Sequence, residues 1–432
     1  MTSILAACAA IVAAFWAVVI LDRKRSWPRE MRLDLCEPES AEDPARPSPS
    51  RRDTVVIIPA RNERETVEVA LPSLLAQADD FARLIYVDDR SDDGTGDVAR
   101  KIADATPGAT RVDVLRAPER RSGWTGKLHA LEHGLEHARA VCDPLPEWIL
   151  LTDADIHHAP GSIRALRALA DRASRDTVSI MARLRAENVW ERLLIPPFVA
   201  FFQLLYPFRR VADDRSRVAA GAGGCVLVRR EALERAGGLE AVRGAVIDDV
   251  SLARAIKRAG GRLWLGLSSG ITSVRGYDGP GEIVRMIART AYEQLGRNVL
   301  VLLATLLGIL LVLVSPPIVL ALSIARLELF PALAALFAWG AQTAMLHPAV
   351  RHHGVGRAWA LTLPFASVFY LYATALSAWR DWRGAGVQWR GRVLHDETDA
   401  SAARTADRDE PCSPAMDADG EPMLERERER NR

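Results

Sequence analysis

The sequence predicts an α/β fold with a mostly parallel sheet, carried between membrane-spanning helices at its two ends. Short apolar runs alternate with helical stretches between residues 54 and 259, which is typical of βαβ units. Long apolar stretches with few charges lie near the two ends of the chain. The 432 residues carry a formal net charge of only +1, so the charge balance gives no indication of nucleic-acid binding.

The cysteines give no sign of a disulfide framework or a zinc site. Their positions are Cys8, Cys36, Cys142, Cys225 and Cys412, with no CxxC pair among them. Reduced, scattered thiols favour a cytosolic location for the catalytic part of the chain.

Residues 4–21 form an apolar run long enough for a membrane-spanning helix, and residues 1–22 are predicted to be an N-terminal anchor. A cleaved signal peptide is less consistent, since no cationic segment precedes the run and no small-residue cleavage site follows it. The basic residues Arg23, Lys24 and Arg25 predict that the following chain is cytoplasmic. Residues 23–53 are basic and rich in proline, which is typical of a linker.

The elements of the soluble part follow in order. A β-branched run at 54–59 predicts a strand buried on both faces, and acidic residues at the start of 62–76 predict a helix. By the same criteria, strands are predicted at 84–87, 112–115, 147–152, 177–182 and 226–228, and helices at 96–103, 129–140, 162–174, 231–236 and 251–259. Residues 190–208 are apolar but interrupted by prolines, which predicts an interfacial or acceptor-side segment rather than a span.

Three acidic clusters are each predicted to end an apolar strand. They are Asp88 with Asp89, Asp153 with Asp155, and Asp248 with Asp249. Ligands of open α/β sheets bind beyond the carboxyl ends of the strands, and paired carboxylates there suit Mg²⁺ or Mn²⁺. The adjacent His157 and His158 are predicted to be loop residues rather than ligands, since carboxylates already suit a hard cation.

Two glycine-containing segments allow more than one interpretation. Residues 94–99 match the G-x-G-x-x-A fingerprint of dinucleotide-binding proteins, but four carboxylates precede them and would repel a pyrophosphate, so a nicotinamide site is disfavoured. The turn containing Gly223 and Gly224 permits close approach of a ligand to the backbone, and a plain tight turn is equally consistent.

The C-terminal part is predicted to lie in the membrane. Apolar stretches cover 299–325, 329–346 and 359–379, within a predicted membrane region at 299–380. Three crossings would carry the tail outward, yet Arg380, Arg383, Arg390 and Arg392 at the last exit predict a cytoplasmic side. One stretch is therefore a candidate re-entrant segment, and the number of crossings stays open. Residues 381–432 are predicted to be a basic juxtamembrane segment and a disordered tail.

Taken in order, these motifs resemble a family 2 glycosyltransferase with a GT-A fold. The resemblance rests on 55–63, 87–95, 152–155 and Asp248-Asp249, and covers the predicted domain at 54–298. Within that family, the loop 123–127, residues 289–295 and residues 389–392 look most like the hopanoid-biosynthesis-associated membrane glycosyltransferases. Processive members carry Gln-x-x-Arg-Trp near the membrane, whereas Gln294 and Arg297 are followed here by Asn298, which argues against a polymerising enzyme.

The resemblance implies roles for individual residues. Asp88, Asp89 and the loop with Pro59, Arg61 and Glu63 would hold the nucleobase and ribose. Asp155 would bind the metal bridging the diphosphate, and Asp153 would steady the ribose or the metal's water shell. Lys127 would neutralise phosphate charge, and Gln294 or Arg297 would contact the diphosphate, although Arg297 could equally anchor the start of a membrane helix. Asp249, beside Asp248, would deprotonate the acceptor hydroxyl.

The resemblance thus implies a membrane-bound, metal-dependent inverting glycosyltransferase of the inner membrane with a cytoplasmic catalytic domain. It would move a sugar from a nucleotide-diphosphate donor to a lipid hydroxyl, with Mg²⁺ or Mn²⁺ as cofactor and no nucleic-acid partner. The alternatives are a membrane-associated NAD(P)-binding oxidoreductase and a non-catalytic membrane scaffold with the same fold.

Overall fold

The computed structural model describes residues 2–21, 31–33, 53–106, 111–384, 388–389 and 392–393. The predicted linker and the predicted disordered tail lie largely outside these residues. A nine-stranded mixed sheet forms the centre of the soluble part. Its strands are β1 Arg32–Leu33, β2 Thr54–Ala60, β3 Arg83–Asp88, β4 Val112–Arg116, β5 Trp148–Thr152, β6 Ile156–His158, β7 Thr177–Arg183, β8 Cys225–Arg229 and β9 Leu263–Ser273. Residues 388–389 and 392–393 pair as a separate short hairpin, β10 and β11.

The helices surround this sheet and continue into the apolar C-terminal region. They are α1 Thr2–Leu21, α2 Arg64–Leu75, α3 Thr95–Ala105, α4 Gly126–Val141, α5 Ser162–Arg172, α6 Val189–Leu205, α7 Phe208–Ala212, α8 Arg230–Arg235, α9 Asp248–Arg258, α10 Pro280–Ala288, α11 Ala291–Gln294, α12 Val299–Gly308, α13 Ser315–Ala325, α14 Leu329–His352 and α15 Leu363–Trp382. A π-helix at Ile309–Val314 joins α12 to α13 without a break.

The strand order is β1-β9-β7-β8-β5-β2-β3-β4, with β6 paired to β9. The neighbours β5, β2, β3 and β4 are parallel, as are β7, β9 and β1, whereas β8 runs antiparallel to both β5 and β7. The prediction of a mostly parallel α/β sheet is confirmed. The strands β2 and β5 are buried along their whole length, as expected for strands covered by helices on both faces.

The antiparallel direction of β8 decides what lies at the functional edge. The parallel strands β2, β3 and β5 deliver their carboxyl ends to one edge, where Ala60 pairs with Asp88. Because β8 is reversed, its first residue, Cys225, pairs with Thr152 at the same edge. The glycine turn before β8 therefore lies beside the two aspartates that follow β5.

Several sequence predictions about individual elements are wrong. Asp248 and Asp249 do not end a strand but begin α9, so the apolar residues before them are irregular backbone. Lys127 lies in the first turn of α4 rather than in a loop, since the Thr125 side chain caps that helix by accepting from the Leu128 N–H. His157 and His158 lie on β6, where Ile271 of β9 pairs with His158.

The interrupted apolar segment is one helix, α6, despite two internal prolines. Asn188 caps it, with its side chain accepting from the Glu191 N–H while Glu191 reaches back to the Asn188 N–H. Its apolar face packs against α15, where Leu194 and Ile195 meet Ala366. The Tyr370 hydroxyl of α15 also donates to the Leu194 carbonyl at 2.7 Å.

Three described helical stretches are long and apolar enough to cross a membrane: Val299–Ala325, Leu329–His352 and Arg357–Trp382. The π-helix in the first of them is followed closely by Pro316. Pro316 has no N–H to donate to the Val312 carbonyl. That carbonyl accepts instead from Trp16 Nε1 of α1 at 3.1 Å and from Gln342 Nε2 of α14 at 2.8 Å. Because Pro316 cannot donate to it, the Val312 carbonyl is available to link its own helical stretch to α1 and α14.

The end of α14 and the end of α15 both contact the soluble part. His352, at the end of α14, is hydrogen-bonded through Nδ1 to Arg32 of β1 at 2.9 Å. Asp381, at the end of α15, pairs with Arg297 at 3.5 Å. Between them, the Leu361 carbonyl accepts from Trp339 Nε1 of α14 at 2.9 Å.

Candidate active site

Lys127 joins two of the three acidic clusters. Its Nζ lies 2.9 Å from Asp153 Oδ1 and 3.1 Å from Asp248 Oδ2. The first turn of α4 thereby connects the end of β5 to the start of α9. Burial disfavours the ammonium, but Asp153 and Asp248 outweigh it and raise the pKa of Lys127 above its usual value. Lys127 is therefore a fixed positive charge at this edge of the sheet.

Asp249 is held by the backbone on both sides. Its Oδ2 accepts from the Gly223 N–H at 2.8 Å, and its Oδ1 accepts from the Val250 N–H at 2.7 Å. Burial and the neighbouring Asp248 raise its pKa to about 6 against the opposing effect of Lys127. The carboxylate is thus fixed in orientation and has a pKa suited to accepting a proton near neutral pH.

Gly223 can occupy its place because it has no side chain. A Cβ there would lie 3.0 Å from Lys127 Nζ and 3.4 Å from Asp249 Oδ2. Gly224 is also confined, since a Cβ would lie 3.3 Å from the Ile156 side chain. The close approach that the glycine turn allows is made here by the protein's own lysine and carboxylate.

Asp155 lies in the turn between β5 and β6 and is oriented by residues of the far strand. Its Oδ2 accepts from the Ser273 hydroxyl at 2.8 Å and from Arg275 Nε at 3.1 Å. Arg275 also forms an ion pair with Glu63, so it bridges the predicted metal ligand and the loop after β2. Burial raises the pKa of Glu63 to about 7, although Arg275 opposes the shift.

The loop after β2 packs on the loop after β3. Arg61 Nη1 donates to the Asp89 carbonyl at 2.6 Å and to the Arg90 carbonyl at 3.1 Å. The Asp88 carboxylate accepts from the Ser91 N–H at 3.2 Å. Asp89 is fully buried, with 0% of its surface exposed, so it lies within the wall between these loops.

A small cavity of about 20 Å³ marks where the predicted residues meet. Its polar lining comes from Lys127, Asp153, Asp248 and Asp249, and Pro59 and Gly223 close it. This volume holds about one water molecule, so a nucleotide sugar would occupy the space outside it. The structure brings together residues from β2, α4, β5, the glycine turn and α9, which are far apart in sequence.

Gln294 and Arg297 make contacts of a different kind. The Gln294 side-chain amide donates to the Tyr206 hydroxyl, at the end of α6. Arg297 Nε lies 2.8 Å from Glu293 Oε2 and pairs with Asp381 across the start of α12. The contacts of Arg297 agree with the helix-anchoring alternative, and contact of either residue with diphosphate stays a prediction.

The carboxylates that follow β5 fit a divalent cation that is completed by substrate. Among the described residues, no group of three or more His, Cys, Asp or Glu side chains could hold a metal by itself. Asp155 uses one oxygen for Ser273 and Arg275, and no hydrogen bond to its Oδ1 occurs within the described part of the chain. Mg²⁺ and Mn²⁺ are commonly held by one or two carboxylates together with substrate phosphates, which matches this arrangement.

The sequence did not reveal Arg275, Ser273 or Tyr206 as parts of this region. Arg275 is 120 residues from Asp155, and nothing in its neighbourhood marks it as polar lining. The strand β9, which carries Ser273, was not predicted at all. The apolar run Leu263-Trp264-Leu265 at its start is the signal that the sequence offered.

The glycine fingerprint at 94–99 has a structural explanation. Gly94 adopts a left-handed conformation with φ of 84°, and Asp93 Oδ1 accepts from the Thr95 N–H at 2.9 Å. A Cβ on Gly96 would lie 3.0 Å from Asp88 Oδ2. The start of α3 is thus occupied by a carboxylate, where a dinucleotide fold would place a pyrophosphate.

The mostly parallel sheet, with paired carboxylates and a lysine at its carboxyl edge, is a GT-A-like α/β domain. Residues 51–292 match the model of the glycosyltransferase-like family 2, more than half of the chain. The chain belongs to the family 2 glycosyltransferases and is an enzyme of that class, which favours this interpretation over the oxidoreductase and scaffold alternatives.

Known proteins are similar to this chain both in sequence and in fold. The chain is 33% identical over 209 residues to the polyprenol monophosphomannose synthase of Mycolicibacterium smegmatis, covering 46% of this chain and 69% of the relative. The fold resembles the mannosyltransferase PcManGT of Pyrobaculum calidifontis, solved with GDP-mannose and Mn²⁺. That similarity has a TM-score of 0.50 at 22% identity and covers 88% of this chain and 99% of the other.

Proposed function

We propose that this chain is a membrane-bound, metal-dependent inverting glycosyltransferase that moves a sugar from a nucleotide-diphosphate donor to the hydroxyl of a lipid. The observation that carries the proposal is the Asp249 carboxylate. Two backbone N–H groups fix it beside the ion pair of Lys127 and Asp248. Family membership supports the transferase chemistry.

The donor would lie across the carboxyl edge of the sheet. Asp88 and Asp89, with the loop of Pro59, Arg61 and Glu63, would hold the nucleobase and ribose. Lys127 would face the diphosphate, where its charge would stabilise the leaving group. Gly223 and Gly224 would let the sugar approach the backbone, and Gln294 or Arg297 would contribute from the membrane side.

Asp155 and Asp153 would hold Mg²⁺ or Mn²⁺. The bound metal would neutralise the diphosphate charge that develops as the glycosidic bond breaks. The carboxylate pair supports this assignment, and so does the Mn²⁺ bound with GDP-mannose by PcManGT.

Asp249 would act as the general base. Its carboxylate would take the proton of the acceptor hydroxyl as that oxygen attacks the anomeric carbon, and the diphosphate would leave on the opposite side. A single base on the acceptor side suits one in-line displacement, so the sugar would be inverted. Asp248 would keep the pKa of Asp249 raised.

The acceptor is proposed to be a lipid, and a hopanoid-type hydroxyl is the candidate that the sequence resemblance suggests. The polyprenol monophosphomannose synthase offers a second candidate, a polyprenyl monophosphate. Asp249 favours the hydroxyl, because a neutral acceptor needs a base to take its proton whereas an anionic phosphate does not.

The catalytic domain is proposed to face the cytoplasm at the inner membrane. Stretches 299–325 and 329–352 would be two full crossings, because His352 returns to Arg32 on the sheet. Residues 353–382 would be a re-entrant segment. Leu361 contacts Trp339, about 20 Å back along α14 from His352 at 1.5 Å per residue, and Asp381 again meets Arg297.

The test is metal-dependent release of nucleoside diphosphate by the full-length protein in lipid nanodiscs. A set of nucleotide sugars is offered with hopanoid and polyprenyl phosphate acceptors, with and without chelator. One donor should be consumed only with metal and a hydroxyl lipid, and Asp249→Asn should lower that rate by about 10²- to 10⁴-fold while donor binding persists.

The exposed Asp104→Asn on α3 serves as the matched control and should keep the wild-type rate. Consumption of no donor under any condition would refute the transferase proposal. Efficient transfer to polyprenyl phosphate alone would replace the hydroxyl acceptor by the phosphate.

A further inference from the structure

Lys257, near the end of α9, inserts its ammonium among four backbone carbonyls. Its Nζ donates to Val218 at 2.7 Å, Val211 at 2.9 Å, Asp213 at 3.1 Å and Arg210 at 3.4 Å. Converging carbonyls are a favourable site for a cation, and they leave the three N–H groups of Lys257 well supplied with acceptors. Through these hydrogen bonds, Lys257 holds the backbone of residues 210–218 in place.

The backbone that Lys257 binds belongs to the connection between helix α6 and strand β8. Helix α6 in turn packs on α15. This connecting segment, residues 206–224, begins at Tyr206, whose hydroxyl accepts from Gln294. It ends in the glycine turn, where the Gly223 N–H holds Asp249. One end of it is therefore tied to the start of the apolar C-terminal helices and the other end to the proposed base.

Lys257 and Asp249 lie on the same helix, eight residues or about 12 Å apart. The connecting segment is consequently fixed to α9 at two points, by the Gly223 N–H near the start of the helix and by Lys257 near its end. The same segment therefore leads from α6, which packs on α15, to the backbone N–H that holds the proposed base.

We propose that Lys257 is a positioning residue for the lipid acceptor, which fixes the connecting segment so that an acceptor hydroxyl arriving from the membrane meets Asp249. This inference rests on the proposed transfer to a lipid. Among the described residues, the side-chain hydrogen bonds of Lys257 go to the connecting segment and not to the donor edge of the sheet or the carboxylates after β5, so we assign it to the acceptor side.

The experiment compares the full-length wild type with Lys257→Met, Lys257→Ala and Lys257→Arg in nanodiscs of fixed lipid composition. Methionine keeps most of the apolar stem and removes the ammonium. Lys257→Met should lower kcat/KM for the lipid acceptor by about tenfold or more, because small displacements at a reacting group have large effects on rate. Its affinity for the metal-loaded donor, measured by calorimetry, should stay within about twofold of wild type.

Chemical rescue separates positioning from general damage. Lys257→Ala leaves four carbonyls facing a space that methylammonium or ethylammonium can fill, so millimolar amine should restore part of the acceptor kcat/KM. Arg258→Met, an exposed neighbour with no ion pair among the described residues, removes the same charge and should change neither quantity nor respond to amine. Lys257→Arg should retain more activity than Lys257→Met.

Unchanged acceptor kinetics in Lys257→Met would overturn the inference. So would a parallel loss of donor affinity in Lys257→Met and Lys257→Ala with no rescue of Lys257→Ala by amine, since this would indicate disruption of the fold. Absence of transfer by the wild type would refute the proposed function instead, so the two failures are distinguishable.

Discussion

The two carboxylate oxygens of Asp155 differ in their contacts. Oδ2 accepts hydrogen bonds from the protein, whereas Oδ1 accepts none from the described residues. Ser273 and Arg275 both donate to its Oδ2, which fixes the orientation of the carboxylate. Arg275 further links this carboxylate to Glu63 in the loop proposed to hold the nucleobase. Such outer contacts commonly set the orientation of a metal ligand, so metal binding and base recognition are expected to be coupled through Arg275.

Replacing Asp155 by Asn should weaken metal-dependent donor binding. The amide keeps the shape but removes the negative charge that attracts a divalent cation, so the Mn²⁺-dependent affinity for the donor should fall by about 10- to 100-fold. Calorimetry with metal, donor and each variant measures this directly. The exposed Asp278→Asn is the matched control. Full retention of metal-dependent donor affinity by Asp155→Asn would exclude Asp155 as a ligand.

The pH dependence of transfer follows from the proposed base. Burial and Asp248 raise the pKa of Asp249 to about 6, and only the deprotonated carboxylate can accept a proton. The rate of transfer should therefore be constant above about pH 7 and fall about tenfold per pH unit below about pH 6. A profile of kcat/KM for the acceptor, from about one pH unit below that pKa to two above it, measures this. A flat profile across that range would contradict the assignment of Asp249.

At the scale of elements, the sequence predicted those strands that are continuous apolar runs. Strands β2, β3 and β5 are fully or almost fully buried, so their sequences are almost entirely apolar, and acidic residues mark the ends of β3 and β5. The short strands β1 and β6 have no such pattern and form only because β9 offers them a partner. Their formation thus depends on pairing across the sheet, which the local sequence does not encode.

For the same reason, the sequence predicted only some of the residues of the candidate site. The acidic pairs were visible as motifs, but Asp248 and Asp249 were expected after a strand and instead begin α9. At the first turn of a helix, carboxylates face unpaired backbone N–H groups, which explains why Asp249 accepts from Val250. Arg275 could not be predicted, because its role arises only when β9 brings it to Asp155 across 120 residues of chain.

The glycine turn before β8 is an element whose shape can be tested. In Gly223→Ala, the new Cβ would lie 3.0 Å from Lys127 Nζ and 3.4 Å from Asp249 Oδ2. The flexible lysine can move, so the fold should survive, but the ammonium and the base would be displaced. The transfer rate should fall by about 10- to 100-fold with a small change in Tm.

Gly279→Ala is the matched control, because a Cβ at that position meets no atom within 4 Å. Rate measurements with both variants, together with thermal unfolding in nanodiscs, separate loss of geometry from loss of stability. Wild-type turnover by Gly223→Ala would mean that the Lys127–Asp249 spacing does not limit the reaction.

At the scale of the whole molecule, the apolar helices and the soluble part form one packed structure. The Val312 carbonyl, freed by Pro316, receives Trp16 of α1 and Gln342 of α14, so α1 is joined to the C-terminal helices. Helix α6 packs on α15 through Leu194 and Tyr370. Helix α6, which leads into the connecting segment on the proposed acceptor side, therefore packs directly on helices proposed to lie in the lipid.

The proposed re-entrant segment would resolve the conflict between three apolar stretches and a basic exit. Helix α14 ends beside Arg32 on the sheet, and α15 ends with Asp381 beside Arg297, where the first proposed crossing begins. The chain between them passes Leu361, which contacts Trp339 far along α14. Both ends of 353–382 lie beside the catalytic domain, so this stretch would enter and leave the membrane on one side, and the basic residues beyond α15 would stay on that side.

Labelling of single cysteines with a membrane-impermeant maleimide tests this topology in a variant lacking the five native cysteines. Arg326→Cys, between the two proposed crossings, should be labelled in intact cells, whereas Arg383→Cys and Asp104→Cys should be labelled only after permeabilisation. These positions are exposed in the folded chain, so protection would reflect the membrane rather than burial. Labelling of Arg383→Cys in intact cells while Asp104→Cys stays protected would make 357–382 a full crossing. Labelling of Asp104→Cys there would put the catalytic domain outside, where nucleotide sugars are not made.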